Sequence, residues 1–528
     1  MRSLVLQLLL TAFCFYQLGA VCINPLNSDI SPFIEKDIKV QPLEGRTLSL
    51  PFVIGSTLEN QWKISIAADD VFGQQGVLQT SRGAFNPVLD AALEHRFGDN
   101  QQTCAEQTRE SGYDSNLGFS LSKLSRVGTE FSLNGGFRNH KDPTRGFGYC
   151  DEYSLQFLID QPLLRRFWYN RERAQEMISE VELKAVKWEF LQTMSGQLTE
   201  SLKRYWDFVF AIKRYQINKE TRERLLQLAN STSQLIEGGE MAASQIDQQF
   251  AEIYNESRKM TETSQSVYRA YHALLFSMGE TPCEFSCEVP DIVVDEFPPF
   301  DKKILCWDPH CLEQLASNNR GDLIAARYRV ASSRINLARA RQDRLPLLNV
   351  GIGAGVRNFK NSNRFFSSVG SSHPQEDLVA RVTFSYPFGN DRALGELRSS
   401  LALNSQAMTE EDELFQRIRS ELNVALRNHY DLIEQLHYAD QTVNWFEKST
   451  EAEIERLKEG YSTVFVVIDF ENRLSNSRIE RLRILRDYAS NLVDLFFITG
   501  MLVQPDESVC MAKVANIYDV ERLLQMGE

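Results

Sequence analysis

Proline is missing from two long stretches of this 528-residue chain, between Pro162 and Pro282 and between Pro387 and Pro505. Proline costs about 3 kcal/mol inside a helix, so such gaps are where long helices are tolerated. Histidine is scarce, with seven in all. There is no His-x3-His, no Gly-x-Ser-x-Gly, and no glycine-rich loop ending in Lys-Ser or Lys-Thr. The usual zinc-hydrolase, esterase and phosphate-loop chemistries are therefore excluded. The chain is read as a non-enzyme that calls for no cofactor and no resident metal. Positive charge is also in deficit: 57 Lys and Arg against 71 Asp and Glu leave a net charge of −14. A general nucleic-acid binder would carry a basic footprint instead. Beyond the N-terminal segment no run of 18 apolar residues occurs. That excludes a bundle of membrane-spanning helices but not a β-barrel, whose strands are short and alternating.

With 43% hydrophobic and 24% charged residues, the composition is that of a folded chain. The first twenty residues read as a secretory signal, with Arg2 ahead of an apolar stretch at 4–16 and cleavage after Ala20. Cys22 follows closely, but Val21 stands where a lipoprotein signal wants a small residue. An exported chain meets oxidising conditions, so its cysteines are read as disulfide formers.

The proline-free stretches are rich in helix formers and carry helical periodicity. Leu414, Ile418, Leu422, Ala425, His429, Leu432, Leu436, Ala439, Val443 and Phe446 step by threes and fours, as do Leu482, Leu485, Ala489, Leu492 and Phe496. That is a seam of coiled-coil type. Each stretch is broken by glycine, at Gly238-Gly239 and at Gly460. An unbroken helix from Leu163 to Glu237 would run roughly 110 Å, too long for a compact domain. Each stretch therefore reads as a long outgoing helix, a tip and a shorter return helix.

The two halves match. Pro162 and Pro387 lie 225 apart, Gly238 and Gly460 lie 222 apart, Gly279 and Gly500 lie 221 apart, and Asp247 and Asp469 lie 222 apart. A period this long means duplication of a whole unit. Before each helical stretch the sequence alternates with period two. Leu348, Val350, Ile352, Ala354 and Val356 share a face opposite Asn349, Gly351, Gly353 and Gly355. Leu378, Ala380, Val382, Phe384 and Tyr386 oppose Arg381, Thr383 and Ser385, with a polar loop across 357–376. The first unit offers two to four such strands across 87–160. Runs of about nine residues suit a tilted membrane strand, apolar towards lipid and polar towards a lumen. Four to six strands cannot close a membrane barrel, because about eight are the minimum and open edges in lipid are not viable. A half-buried strand of a soluble sandwich would look the same, but if these strands cross a membrane, several chains must share one barrel, making the protein an obligate oligomer.

These features resemble the TolC family of outer-membrane efflux proteins. The likeness is carried by Glu453 to Leu474, with Gly460-Tyr461-Ser462-Thr463 followed by Asp469 and Leu474. Ile498-Thr499-Gly500, Leu345-Pro346-Leu347-Leu348, Gln161-Pro162-Leu163-Leu164-Arg165, Tyr386-Pro387-Phe388-Gly389 and Leu58-Glu59-Asn60 add to it. It covers roughly residues 46–280 and 312–502. The resemblance implies a mainly helical fold with membrane β structure. Duplicated long helical hairpins would form a periplasmic α-barrel, and short strands would contribute, usually four per chain, to a shared trimeric transmembrane β-barrel. It implies a homotrimer in outer-membrane lipid of a Gram-negative-type envelope, working with a periplasmic membrane-fusion adaptor and an inner-membrane pump of the resistance-nodulation-division or ABC type. The task implied is export of substrates by efflux or type I secretion. The competing reading is a non-conducting periplasmic coiled-coil tether, and a third is an exported zinc-binding protein.

The domain reading follows: signal at 1–20, extended segment at 21–56, first repeat at 57–280, cysteine-containing linker at 281–312, second repeat at 313–502 and C-terminal segment at 503–528. The first hairpin is expected over 163–280 with its tip near 238, the second over 388–500 with its tip near 460. Pro162 and Pro387 mark the strand-to-helix junctions. Gly238, Gly239, Gly460, Tyr461, Ser462 and Thr463 are the adaptor-docking candidates. Asp469 and Asp247 are candidates for a ring of carboxylates at a pore constriction, which favours cations and is blocked by them. Val466 stands where a second acidic residue of the family's pair would be. Cys104, Cys150, Cys283, Cys287, Cys306 and Cys311 are candidate disulfide formers, with zinc ligation at the linker as the alternative.

Overall fold

A computed structural model describes residues 47–528 apart from 101–109, 143–147, 239–243, 281–291, 300–307, 363, 371–373, 506–511 and 515–528. The signal segment, Cys22, Cys104, Cys283, Cys287, Cys306 and Gly239 lie outside the described residues.

The duplication is visible element by element. In the first unit α1 (Leu50–Asn60) and α2 (Trp62–Gly83) precede four strands. These are β2 (Val88–Asn100), β3 (Glu110–Leu124), β4 (Glu130–Asp142) and β5 (Gly148–Pro162). Then come the long helix α3 (Arg171–Glu237) and its return α4 (Ser244–Met278). The second unit runs α5 (Pro309–Asn319), α6 (Gly321–Gln342), β7 (Leu347–Asn361), β8 (Gln375–Ser385), α7 (Asp391–Lys458) and α8 (Val464–Ile498). Matching helices have 11 and 11, 22 and 22, 67 and 68, and 35 and 35 residues. The strands do not match, with four in the first unit and two in the second. Short strands β1 (Thr47–Leu48) and β6 (Val293–Val294) pair in parallel, and β9 (Val503–Pro505) pairs with β10 (Ala512–Val514).

The long helices begin later than the proline spacing predicts, α3 at Arg171 rather than 163 and α7 at Asp391 rather than 388. The backbone explains both. Arg166 and Trp168 have φ of 72° and 61°, Gly389 has 88° and Asn390 45°, all left-handed and incompatible with a continuing right-handed helix. Asn170 then caps α3, its side chain accepting from the Arg173 amide at 2.6 Å.

Helix α3 is the spine. It packs against α2, α4, α6 and α8, while α7 packs against α5, α6 and α8. The short helices stack end to end beside the long ones. At the end of α4, Gly279 turns with φ 79° directly against the backbone of Asn60 and Gln61, where α1 gives way to α2. At the end of α8, Gly500 turns with φ 69° against Asn319 and Arg320, where α5 gives way to α6. Gln61 Nε2 donates to the Ser277 carbonyl at 2.6 Å across the first junction. Thus α2 and α4 make one interrupted column, and α6 and α8 make another. The spine's core is largely aromatic and aliphatic, with Tyr205, Trp206, Phe208, Leu198 and Leu202 buried.

Candidate functional site

The six strands form one antiparallel sheet in the order β2-β3-β4-β5-β7-β8. The first unit thus supplies four strands, and the chain six rather than the four the resemblance implies. Register carries one apolar face across the whole sheet. The row Ala91, Phe119, Gly135, Leu155, Val356 and Glu376 is followed by Leu89, Leu121, Leu133, Phe157, Ala354 and Leu378. Beside it Phe131, Ile159, Ile352 and Ala380 line up. This face is not covered. Ile352 is 63% exposed, Val382 70% and Leu378 88%. A soluble sheet would bury it, because apolar surface left in water costs about 25 cal/mol per Å².

The opposite face is polar and laced with charge. Arg138 on β4 pairs with Asp114 on β3 at 2.7 Å. Arg357 on β7 pairs with Glu152 on β5 at 3.6 Å. Arg381 on β8 reaches Asp160 on β5 at 2.9 Å, across the intervening strand β7. That reach is possible because Gly351 lies between them in register, and a Cβ there would sit 2.5 Å from an Asp160 oxygen. The period-two pattern placed Asp160 and Arg381 on the polar face, but their pairing needed the strand register.

The sheet joins the helices through a buried carboxylate that the sequence did not point to. Glu176, on the first turns of α3, has its side chain 4% exposed. Arg126, from the β3–β4 turn, meets it at 2.9 Å, Arg173 at 2.6 Å and Arg82 at 3.8 Å. Hydrogen bonding from Arg126 holds this carboxyl below its ordinary 4.5. Residues 50 positions apart meet here, and no local spacing announces them. Pro162 ends β5, and Pro387 follows β8 by two residues. Both lie where strand hands over to turn.

At the far end the four long helices share a core of Leu225, Ala229, Ile253, Leu457, Val464, Val467 and Ile468. Gly238 follows α3 in right-handed geometry. Gly460 has φ 79° and open space around it. Tyr461 is 83% exposed at this tip, and Thr463 stands in extended geometry just before α8 without a side-chain capping bond. Ser462 donates to Glu453, tying the turn back to α7. Asp469 lies on the second turn of α8, paired with Arg473 at 2.9 Å. Asp247 is exposed on the first turn of α4. The structure does not join these two carboxylates within one chain. Nearby, Glu471 is buried against Arg224 of α3 at 3.0 Å, an interhelical tie that sequence reasoning missed.

Cys150 is buried on β5, and Cys311 lies in the first turn of α5. The other candidate disulfide formers, Cys104, Cys283, Cys287 and Cys306, lie outside the described residues. Among the described residues, no group of three or more His, Cys, Asp or Glu is placed to hold a metal ion. No helix among them is long and apolar enough to cross a membrane.

Comparison with known proteins agrees with this geometry. Residues 312–501 match the family model of outer membrane efflux proteins. A search of curated protein sequences finds no match. Among solved structures, the chain is similar to the outer-membrane channel OprN, at 16% identity and TM-score 0.63, covering 85% of this chain and 89% of that one. It is similar to VceC of Vibrio cholerae, at 16% identity and TM-score 0.60, covering 85% and 96%. It is similar to the Campylobacter jejuni channel CmeC, at 12% identity and TM-score 0.60, covering 91% and 89%. Residues 312–501 therefore match the outer membrane efflux protein family, and over 85–91% of its length the chain has the fold of these outer-membrane channels.

Proposed function

We propose that three copies of this chain close into an outer-membrane channel that exports substrates through a helical tunnel reaching into the periplasm. The observation that carries this reading is the sheet: among the described residues its apolar face is exposed and its outer strands, β2 and β8, each pair on one side only. Open edges in lipid leave backbone groups unsatisfied at several kcal/mol each, so the sheet must be closed by other copies. The helices support the same closure. Helix α7 follows edge strand β8, and α2 precedes edge strand β2. The exposed apolar side chains Val424, Tyr438 and Trp445 of α7 and Ile66 and Phe72 of α2 then lie on elements that continue the two sheet edges. Packing the α7 side of one copy on the α2–α4 side of the next completes both barrels together.

In this assembly the polar face lines a wet passage, and the helix pairs form the tunnel below it. A 68-residue helix is about 100 Å long, enough to reach far beyond a hydrocarbon core of about 30 Å. The tip at Gly238 and at Gly460, Tyr461, Ser462 and Thr463 is the surface offered to a periplasmic adaptor, and through it to a pump of the resistance-nodulation-division or ABC type. The exposed Tyr461 and Phe465 suit docking, since exposed aromatics are typical contact anchors. Asp469, three copies around the axis, forms a cation-favouring ring, with Asp247 its repeat-related counterpart. Full-length protein purified in detergent should be trimeric and should open ion-conducting pores in a planar bilayer. A monomeric chain that dissolves without detergent, or a trimer that conducts nothing, would sink the reading in favour of a tether.

A further inference from the structure

The repeat itself isolates an insertion. Helix for helix the two units are equal in length, but one holds four strands and the other two. Strand β2 follows a 22-residue helix and Pro87, as β7 follows a 22-residue helix and Pro346. Strand β5 leads into long helix α3 as β8 leads into α7. The pair without a counterpart is the hairpin β3–β4. We infer that this inserted hairpin is part of the barrel wall, so that the outer-membrane pore has eighteen strands, not twelve, and a correspondingly wider outer mouth. This rests on the trimeric channel reading.

Three independent features keep the hairpin in the wall. First, it is paired along both flanks: β2 with β3 from Val88–Ser122 to Asn100–Glu110, and β4 with β5 from Glu130–Asp160 to Asp142–Gly148. Removing it from the sheet would break both ladders. Second, its faces continue those of its neighbours. Leu117, Phe119, Leu121, Phe131, Leu133 and Phe137 join the apolar face, while Ser120, Ser122, Ser132 and Asn134 join the polar one. The Phe119 ring lies directly over Gly135 on the paired strand, filling the space a side chain would take. Third, its inner turn is fastened to the helices. Arg126 holds Glu176, Thr129 Oγ1 donates to Gln161 at 2.5 Å, and Gly128 packs so close that a Cβ would lie 2.7 Å from the Arg166 carbonyl. A flap lying across the lumen or out over the membrane would have none of these ties.

At about 4.8 Å between strands and a tilt of about 40°, twelve strands close at a backbone radius of about 12 Å and eighteen at about 18 Å. The cross-section rises about 2.2-fold by the same scaling. The test uses the full-length trimer in lipid nanodiscs and a variant lacking residues 110–142, which would join β2 to β5 through residues 101–109 and 143–147. Electron cryo-microscopy of the unaltered trimer should show eighteen strands in the wall. In planar bilayers, poly(ethylene glycol) added on the outer side should enter the unaltered barrel up to a hydrodynamic radius at least about 1.5 times that admitted by the deletion variant, since side chains narrow both backbone radii equally. A trimer that conducts but has a twelve-strand wall, with the hairpin beside it, overturns the inference and leaves the channel reading intact. Equal exclusion radii in a folded deletion variant overturn it too. A chain that forms no trimer and no pore overturns both.

Discussion

His429 is fully buried in the α7 seam, stacked on Tyr488 of α8 at 5.5 Å between centroids and beside Asn491. Burial lowers its pKa from 6.5 to about 4, so it packs as a neutral ring. Its folded value is depressed, so the unfolded chain takes up the proton first on acidification. The stability tied to this residue is full above about pH 6.5 and drains away as pH falls towards 4, on the order of 3 kcal/mol in all. His429→Gln should flatten the acid side of the pH–melting curve between those limits. An unchanged curve would refute the assignment. Asp469 belongs to this scale as well. Its carboxylate is half-exposed and compensated by Arg473, so the proposed ring is weaker than three bare charges. Asp469→Ala should raise single-channel conductance or weaken block by divalent cations, and Arg473→Ala should strengthen that block. Recordings unchanged in both variants would remove Asp469 from the pore. Sequence spacing located Asp469 from its neighbours, and placed His429 in the seam. It was silent on Glu176, whose guanidiniums arrive from separate elements.

At the scale of elements, two glycines with nearly the same backbone angle have different reasons to be glycine. Gly460 at the α7–α8 tip has φ 79° with open space around it, whereas Gly500 has φ 69° with the Asn319 carbonyl carbon 2.6 Å from where a Cβ would stand. Gly460→Ala pays only the left-handed strain, about 1 kcal/mol. Gly500→Ala adds a backbone collision at the α8–α6 joint and should cost at least about 2 kcal/mol more, by the usual size of overpacking penalties. Thermal unfolding of the two variants should differ by about 2 °C at this chain length, and equal melting points would show that the joint yields. The long helices and their breaks were legible because proline and glycine report directly on backbone conformation. The start of α3 was not, because Arg166 and Trp168 adopt left-handed angles that their residue types do not announce, whereas Gly389 and Asn390 ahead of α7 are types that favour such angles.

For the whole molecule, the lipid-facing and lumen-facing sides of the sheet predict opposite tolerances. Val382 lies on the apolar face and its neighbour Thr383 on the polar one. Val382→Arg should destabilise the assembled trimer by about 2–4 kcal/mol, as for a charge near the bilayer midplane. Thr383→Arg should cost little and shift ion selectivity towards anions. Heat-dissociation of detergent-solubilised trimers checks the first and reversal potentials the second. A trimer indifferent to Val382→Arg would mean that this face does not meet lipid.

What the amino-acid order determined by itself was periodic and local. Proline and glycine placement set out the helices and their breaks, alternation set the two faces of β7 and β8, and matched landmarks exposed the duplication. Those signals survive in one dimension because each depends on φ, ψ and neighbours within a few residues. Tertiary structure alone decided the number and order of strands, the Asp160–Arg381 pair across Gly351, the anchoring of the β3–β4 turn on Glu176 and the stacking of short helices at Gly279 and Gly500. Each of these joins residues far apart in the chain. A weak alternating pattern in 110–142 marks candidate strands, but whether they join the sheet is decided by which edges hydrogen-bond, and that pairing is not written in any local spacing.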